Sequence, residues 1–296
     1  MSWPAAEVDI DAALIGSLLR SQFPALADLG VVKVAEGFDN SLWRLGDKLV
    51  LRIPRREIAA DLIENELRWL PDLAGHVSLA TPLPLKAGVP SDGFPWPWLI
   101  ARWIDGVAGD ETAPNVRAQS AVALATFLRE IHLEAPDNAP HNPFRSVPLA
   151  ERESVLLLRL HELGSDVDGE AVRSLWNSVR DAPRGSQPRT WLHGDFHPGN
   201  TLYRDGVLVG VVDFGDLCAG DPATDLAGGL MSLPYVALGE FFDTYKTCDD
   251  ATLRRTIGWA VLFGVFFVSL GISDRPSYLS IGTLALANAA QLAKDL

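Results

Sequence analysis

Three polar side chains on one short piece of chain, Asp195, Asn200 and Asp213, are the residues best placed to do chemistry. They lie in TWLHGDFHPGNTLYRDGVLVGVVDFGD, residues 190–216, a stretch that otherwise reads as buried β-structure. A carboxamide and a carboxylate side by side suit Mg²⁺, and a second carboxylate beside them can accept the proton of a hydroxyl. The spacing says how the three could meet. Runs 201–204 and 207–212 are β-prone and are separated by Asp205-Gly206, a pair suited to a type I′ hairpin turn. If Arg204 faces Val207, pairing outward puts Asp213 about opposite Pro198, beside Asn200 and roughly 5 Å across the ladder. Asp195 sits on the preceding loop, which Gly194, Pro198 and Gly199 keep out of regular strand or helix.

The same loop supports a second reading. His193, Asp195 and His197 alternate as H-x-D-x-H, a spacing compatible with a zinc cluster of the metallohydrolase kind. That reading leaves Pro198-Gly199-Asn200 and the downstream D-F-G without a purpose. On the first reading, His193 braces the loop, and His197 either braces it or meets phosphate.

HGDFHPGN at 193–200 followed by VVDFGD at 211–216 resembles the catalytic loop and metal-binding aspartate of the aminoglycoside phosphotransferase family, relatives of the protein kinases. Protein kinases carry H-R-D-x-x-x-x-N and then D-F-G. Asp195 and Asn200 keep that spacing and Asp213-Phe214-Gly215 is a literal D-F-G, with Gly194 where an arginine usually stands. The resemblance spans about residues 30–290. It implies a two-lobed, protein-kinase-like α+β fold in which Asp195 accepts or orients the hydroxyl proton and Asn200 and Asp213 hold Mg²⁺.

The elements that must position these groups follow from the pattern. Residues 7–20 carry Val8, Ile10, Leu14 and Leu18 at helical spacing, and 31–35, 41–45 and 48–53 read as three short strands. The last strand is apolar except for Arg52, and a cation there needs a partner. Glu66 can supply it from a helix expected over 57–70, with Ile58, Leu62, Leu67 and Leu70 on its apolar stripe and Pro71 as its stop; Glu64 competes for the role. By resemblance, Arg52 and Glu66 are the pair that grips nucleotide phosphates, with Arg standing where the family commonly has Lys. The run LRIPRR, 51–56, particularly resembles macrolide phosphotransferases. The turn EGFDN, 36–40, has one glycine and is no Walker loop; in a kinase-like fold Gly37, Asn40 and Ser41 would cover the phosphates. On sequence alone it is a hairpin turn.

Residues 80–103 are rich in proline and tryptophan and read as two strands, with the tryptophans as core. By resemblance their end is the hinge, where backbone amides of Ile100, Ala101, Arg102 and Trp103 would hydrogen-bond a purine. This divides the chain into a nucleotide-binding lobe, 1–103, and a mainly helical catalytic and substrate lobe, 104–296. In the second lobe, 114–133 reads as one helix, with His132 structural, and 149–163 and 169–181 as helices of a polar insertion without a catalytic signature. Asp221 and Asp225 in GDPATDLA read as architectural anchors of the catalytic loop. The apolar run 257–272 is short for a bilayer and reads as a buried helix, with Trp259, Phe263 and Phe266 available to wall a substrate pocket.

The chain has 296 residues, 48% of them hydrophobic, and a net charge of −13. Residues 1–103 hold 10 basic and 13 acidic groups, whereas 104–296 hold 15 and 25. That balance argues against nucleic acid, which needs a basic patch, and permits a cationic substrate; a solvated acidic surface accounts for it equally. Two cysteines, no basic-then-apolar N-terminus and no bilayer-length run point to a cytoplasmic protein without a membrane partner. The expected reaction is transfer of the γ-phosphoryl of ATP or GTP to a small-molecule hydroxyl. A macrolide or aminoglycoside antibiotic, cationic or amphiphilic, heads the acceptors. Another hydroxylated metabolite, or a nucleotide-binding regulatory protein without turnover, are the alternatives.

Overall fold

In the computed structural model, residues 5–185 and 188–296 are described. Residues 1–4 and 186–187, the start of the first lobe and the end of the insertion in the sequence reading, lie outside them.

The first lobe is built on a five-stranded antiparallel sheet. Its strands are β1 (Val31–Glu36), β2 (Asn40–Leu45), β3 (Leu49–Pro54), β4 (Pro84–Gly88) and β5 (Trp98–Arg102), in the order β1-β2-β3-β5-β4. β3 is central and buried on both faces. Because side chains alternate across a strand, Leu51 and Ile53 join one core with Ile15, Leu19, Phe94 and Trp98. Val50 turns to the other face, with Leu99, Ala101 and Ile63. Arg52, two residues from Val50, therefore faces the helix side.

That helix is α2 (Ala60–Leu73), entered through a 3₁₀ turn at Glu57–Ala59. Pro71 does not stop it. Proline removes one backbone donor but fixes a helical φ, and beyond it the Ala74 amide still donates to the Leu70 carbonyl at 2.8 Å, so the helix runs on to Leu73. Of the expected stripe Leu70 is buried, Leu62 and Leu67 are half-buried and Ile58 is 64% exposed; Ile63, Glu66 and Leu73 complete the buried face. The first helix, α1 (Ala12–Gln22), also starts later than expected, because Asp11 caps it by accepting from the Leu14 amide at 2.8 Å. Val8 and Ile10 pack against the same core from the segment before it.

The second lobe is mainly helical. The expected single helix at 114–133 is broken into α3 (Pro114–Arg117), a 3₁₀ turn and α4 (Ala121–Ile131). At the break Arg117 is buried and donates to the carbonyls of Gly109 and Ser232. The insertion forms α5 (Glu153–Leu163) and α6 (Gly169–Val179), close to expectation. Small sheets carry the loop: β6 (Val107–Ala108), β7 (Thr190–Leu192), β8 (Thr201–Arg204), β9 (Val207–Val211) and β10 (Cys218–Gly220), paired as β6-β8-β9 and β10-β7. Then come α7 (Ala223–Ser232), α8 (Leu238–Tyr245), α9 (Asp250–Ser273) and α10 (Pro276–Asp295).

α9 is the core of this lobe. It is longer than the apolar run suggested and, by length and composition, could cross a membrane, but most of its apolar stretch is buried inside the protein, and a helix buried all round is apolar all round. α10 lies against it where Gly264 and Gly282 meet: a Cβ on Gly282 would stand 2.6 Å from the Gly264 carbonyl oxygen and 2.6 Å from the Val268 nitrogen. Gly282→Ala must push the two helices apart. The expected cost is about 1–3 kcal/mol of stability in urea denaturation; an unchanged midpoint would contradict this close crossing.

Candidate active site

The loop between β7 and β8 is held from below by one carboxylate. Asp225, in the first turn of α7, accepts from the amides of His193 at 2.6 Å and Gly194 at 3.0 Å. His132 backs it, with Nε2 3.2 Å from Asp225 and Nδ1 2.8 Å from the Tyr245 hydroxyl. Gly194 is required here: its φ is +83° and a Cβ would lie 2.3 Å from the Asp216 carbonyl oxygen. Asp221 anchors the next turn, accepting from Arg255 at 2.5 Å. The two aspartates and His132 thus have the structural roles their context suggested.

The histidines brace the loop. Nε2 of His193 lies 3.0 Å from the Val212 carbonyl, and its Nδ1 accepts from the Asp195 amide at 3.3 Å. Both nitrogens are spent and burial lowers its pKa, so it is a neutral strut rather than a zinc ligand. Nδ1 of His197 accepts from the Gly199 amide at 3.0 Å, which leaves Nε2 to carry the proton toward Asp195 Oδ2, 3.4 Å away. Asn200 donates through Nδ2 to the Asp195 carbonyl at 2.8 Å and to its Oδ2 at 3.1 Å. Its Oδ1 is left for a ligand. Burial pushes the Asp195 carboxyl up, but His197, Arg145 and His193 pull harder, and the balance holds it well below the ordinary carboxylate range.

The hairpin delivers Asp213 with one change of register. Asp205 and Gly206 have φ of +52° and +78°, as a type I′ turn needs, and Arg204 faces Val207. An irregularity between Leu202 and Tyr203 then shifts the pairing, so that Thr201 faces Val211 and the Val212 amide donates to the Asn200 carbonyl at 2.9 Å. Asp213 therefore comes level with Gly199 rather than Pro198, one residue nearer Asn200. A bulge adds one residue to one strand, and nothing in the alternation announces it. Asp213 itself has φ +66°, and its side chain is 51% exposed.

Arg52 reaches this end of the hairpin from the sheet. Its Nη1 lies 2.7 Å from Glu66 and its Nη2 2.6 Å from Asp213 Oδ1. Glu64, the competing partner, is exposed. Glu66 is fully buried, and burial pushes its carboxyl up against the pull of Arg52.

The expected nucleotide contacts are placed less simply. Asn40 and Ser41 are buried at the start of β2, and Gly37 lies in the turn before it. The Gly37 amide is closed on the Asn40 carbonyl at 2.7 Å, and Ser41 Oγ accepts from Trp43 at 2.8 Å. Asn40 Oδ1 is buried without a partner. Ile100 and Ala101 are fully buried within the ladders to β3 and β4. The Arg102 amide donates to the Leu83 carbonyl at 3.2 Å, and the Trp103 amide to the Lys48 carbonyl at 2.8 Å. The Arg102 amide is thus taken by the segment leading into β4 and the Trp103 amide by the segment leading into β3, so these two of the four expected purine contacts are engaged within the sheet, and the chain leaves it at Ile104. A cavity of about 430 Å³ lies behind this strand end, lined by Thr81, Leu83, Trp103, Ile104, Arg204 and Val209. It contains none of Asp195, Asn200 or Asp213, so chemistry rather than volume marks the site.

The profile of the Phosphotransferase enzyme family (APH) matches residues 30–259. The chain belongs to that family. An aminoglycoside 3′-phosphotransferase of Escherichia coli is 27% identical over 66% of this chain and 70% of its own length. Viomycin phosphotransferase of Streptomyces vinaceus is 27% identical over 71% and 77%. Among solved structures, the GDP complex of aminoglycoside 2′-phosphotransferase-IIIa superposes with a TM-score of 0.70 at 20% identity, covering 95% of this chain and 99% of that one. Macrolide 2′-phosphotransferase of Brachybacterium faecium gives 0.59 at 20% identity, over 94% and 98%. The protein is thus a phosphotransferase of the kinase-like fold.

Phosphotransferases of this kind imply Mg²⁺, and the donor set fits it. Asp213 keeps one carboxylate oxygen beyond the one taken by Arg52, and Asn200 keeps its amide oxygen, both hard donors. Mg²⁺ needs few protein ligands when phosphates and water supply the rest.

Three residues of the site escaped the sequence reading. Arg145, in the insertion, donates from Nε to the Gly194 carbonyl at 2.5 Å and approaches Asp195 to 3.4 Å. Asn142 donates to Asp216 at 2.7 Å. Asp216 stands in the D-F-G-D string and could have been flagged there; Arg145 and Asn142 lie in no motif. Burial pushes Asp216 up to about 6, with Asp195 and Asp213 adding to the shift and Arg145 and Asn142 opposing it. The folded state therefore grips this proton more tightly than the unfolded chain, whose reference is 3.8. Stability falls as pH rises between those values and is level above them. Asp216→Asn should unfold later than the parent above pH 6, by about 1–3 kcal/mol, and the gap should close below pH 4; denaturant melts across that range measure it.

Proposed function

We propose that this protein transfers the γ-phosphoryl of ATP or GTP to the hydroxyl of a small molecule. The observation that carries the reading is the convergence of Asp195, Asn200 and Asp213 with the buried Arg52–Glu66 pair. Asp195 orients the acceptor hydroxyl. Because its neighbours hold it ionised, it is a weak base that receives the proton late, as a loose transition state requires. Arg52 is kept charged and aimed by Glu66, so its fork can grip phosphate oxygens bidentately. Mg²⁺, when bound by Asn200 and Asp213, neutralises phosphate charge. Most of the acceleration would come from alignment and charge stabilisation.

Beside the sheet, the first main-chain donor that could meet a purine edge is the Ile104 amide, which makes no main-chain hydrogen bond among the described residues. The relatives' names put aminoglycosides, viomycin and macrolides first among acceptors to try, which would make the protein an antibiotic kinase. The unpaired Cys218 and Cys248 accord with a reducing cytoplasm.

Asp195→Ala should lower kcat by roughly 10²–10⁴ in a coupled assay run with ATP and with GTP, while calorimetry finds Mg-nucleotide binding nearly unchanged. Undiminished turnover would remove Asp195 from the mechanism. Asp213→Ala should instead weaken Mg-nucleotide binding by about tenfold or more, and a variant with the parent's metal dependence would contradict the assignment.

A further inference from the structure

The turn between β1 and β2 has no run of glycines to shape it, and side chains do that work instead. Its one glycine, Gly37, has its amide closed on the Asn40 carbonyl at 2.7 Å. Two consecutive arginines just beyond β3 grip the rest. Arg55 donates from Nη1 to the Gly37 carbonyl at 2.9 Å and pairs through Nη2 with Glu36 at 2.7 Å, while its amide donates to the Asp39 carbonyl at 2.8 Å. Arg56 pairs through Nη2 with Asp39 Oδ1 at 2.5 Å and lies 4.9 Å over the ring of Phe38. Glu7 fixes their backbone from behind, donating through its amide to the Arg55 carbonyl at 2.9 Å and accepting from the Glu57 amide at 3.0 Å. The run LRIPRR thus contributes Arg52 to the pair with Glu66, and Arg55 and Arg56 to the turn.

The turn stands close to the catalytic centre. In the β2–β3 ladder Leu42 faces Arg52 and Asn40 faces Pro54, so the turn begins about 7 Å along the strand from Arg52, at about 3.3 Å per residue. Arg52 in its turn lies 2.6 Å from Asp213. Burial pushes the Asp39 carboxyl up, Arg56 opposes it, and the charges of Asp213 and Asp195 add to the push. An acid on a turn that covers phosphates is a defect unless its charge is cancelled, because anions a few ångströms apart repel. Arg56 cancels it. The two side chains are 17% and 28% exposed, so water and salt screen the pair little.

We propose that Arg56 is a positioning residue for the nucleotide: by pairing with Asp39 it holds the β1–β2 turn over the phosphates and removes the negative charge that would repel them. Arg55 fixes the other half of the same turn. The inference rests on the phosphotransfer reading above, which supplies the nucleotide, and adds how a turn with a single glycine can serve it. A turn ordered beforehand spares the nucleotide the entropy of ordering it.

The test uses the full chain and calorimetric titration with Mg-ADP and Mg-GDP, which needs no acceptor. Arg56→Gln should weaken binding of whichever nucleotide the parent takes by about tenfold, the size of one charge-assisted hydrogen bond. Combining it with Asp39→Asn removes the repelling charge together with its partner, and should bring affinity back to within about threefold of the parent. Arg56→Lys, which keeps the charge, should lose less than Arg56→Gln. Thermal unfolding confirms that all three variants fold. Parent-like affinity in Arg56→Gln would remove Arg56 from nucleotide binding and overturn the inference. A double variant no tighter than Arg56→Gln would overturn it too, because Arg56 would then act independently of Asp39, and so would Arg56→Lys binding as weakly as Arg56→Gln. A parent protein that binds neither nucleotide would instead sink the phosphotransfer reading, and this inference with it.

Discussion

Arg52 is 4% exposed, and a guanidinium in that position has to be paired on more than one side. One nitrogen meets Glu66 on α2 and another meets Asp213, 161 residues away at the end of the β8–β9 hairpin. A single charge thereby ties the central strand of the sheet, its helix and the hairpin end of the second lobe that carries Asp213. Burial makes that linkage strict on the Glu66 side, because losing the cation leaves Glu66, fully buried, without compensation. The same burial keeps the fork in one geometry, held by Glu66 and Asp213.

The second lobe answers with a complementary device. Asp225 takes two consecutive loop amides, His132 and Tyr245 support Asp225, and His193 closes the loop on Val212. None of these side chains is left to react. Their work is to hold Asp195 and Asn200 in register, with the Asp195 carboxylate kept ionised. Arg145 adds a cation to the loop by donating to the Gly194 carbonyl, and the missing side chain of Gly194 lets the Asp216 backbone approach.

Much of this was legible because it is local. The I′ turn at Asp205-Gly206, the D-x-x-x-x-N spacing and the D-P-x-x-D cap are set by neighbours within a few residues. Arg52 could be matched with Glu66 because a cation in an apolar strand requires an anion on the facing helix. The misreadings are also physical. Pro71 reads as a stop, though the helix runs on past it to Leu73. The hairpin bulge follows from packing across two strands, and the amides of Arg102 and Trp103 were assigned to a ligand before their own sheet had claimed them.

The sequence by itself determined the reaction class, since Asp195, Asn200 and Asp213 are fixed in number, type and spacing by a short run of chain that resembles the aminoglycoside phosphotransferase motifs. The same resemblance implied the two-lobed α+β architecture, and the periodicity placed most of its strands and helices. Only the tertiary structure decided which groups surround Asp195 and Asp216. Arg145 and Asn142 come from an insertion with no motif, and their meeting with Asp195, Asp216 and Phe263 joins parts of the chain far apart in sequence. Contacts between residues far apart in the chain carry no local signal, because burial and distance in space, not spacing in sequence, set their energies.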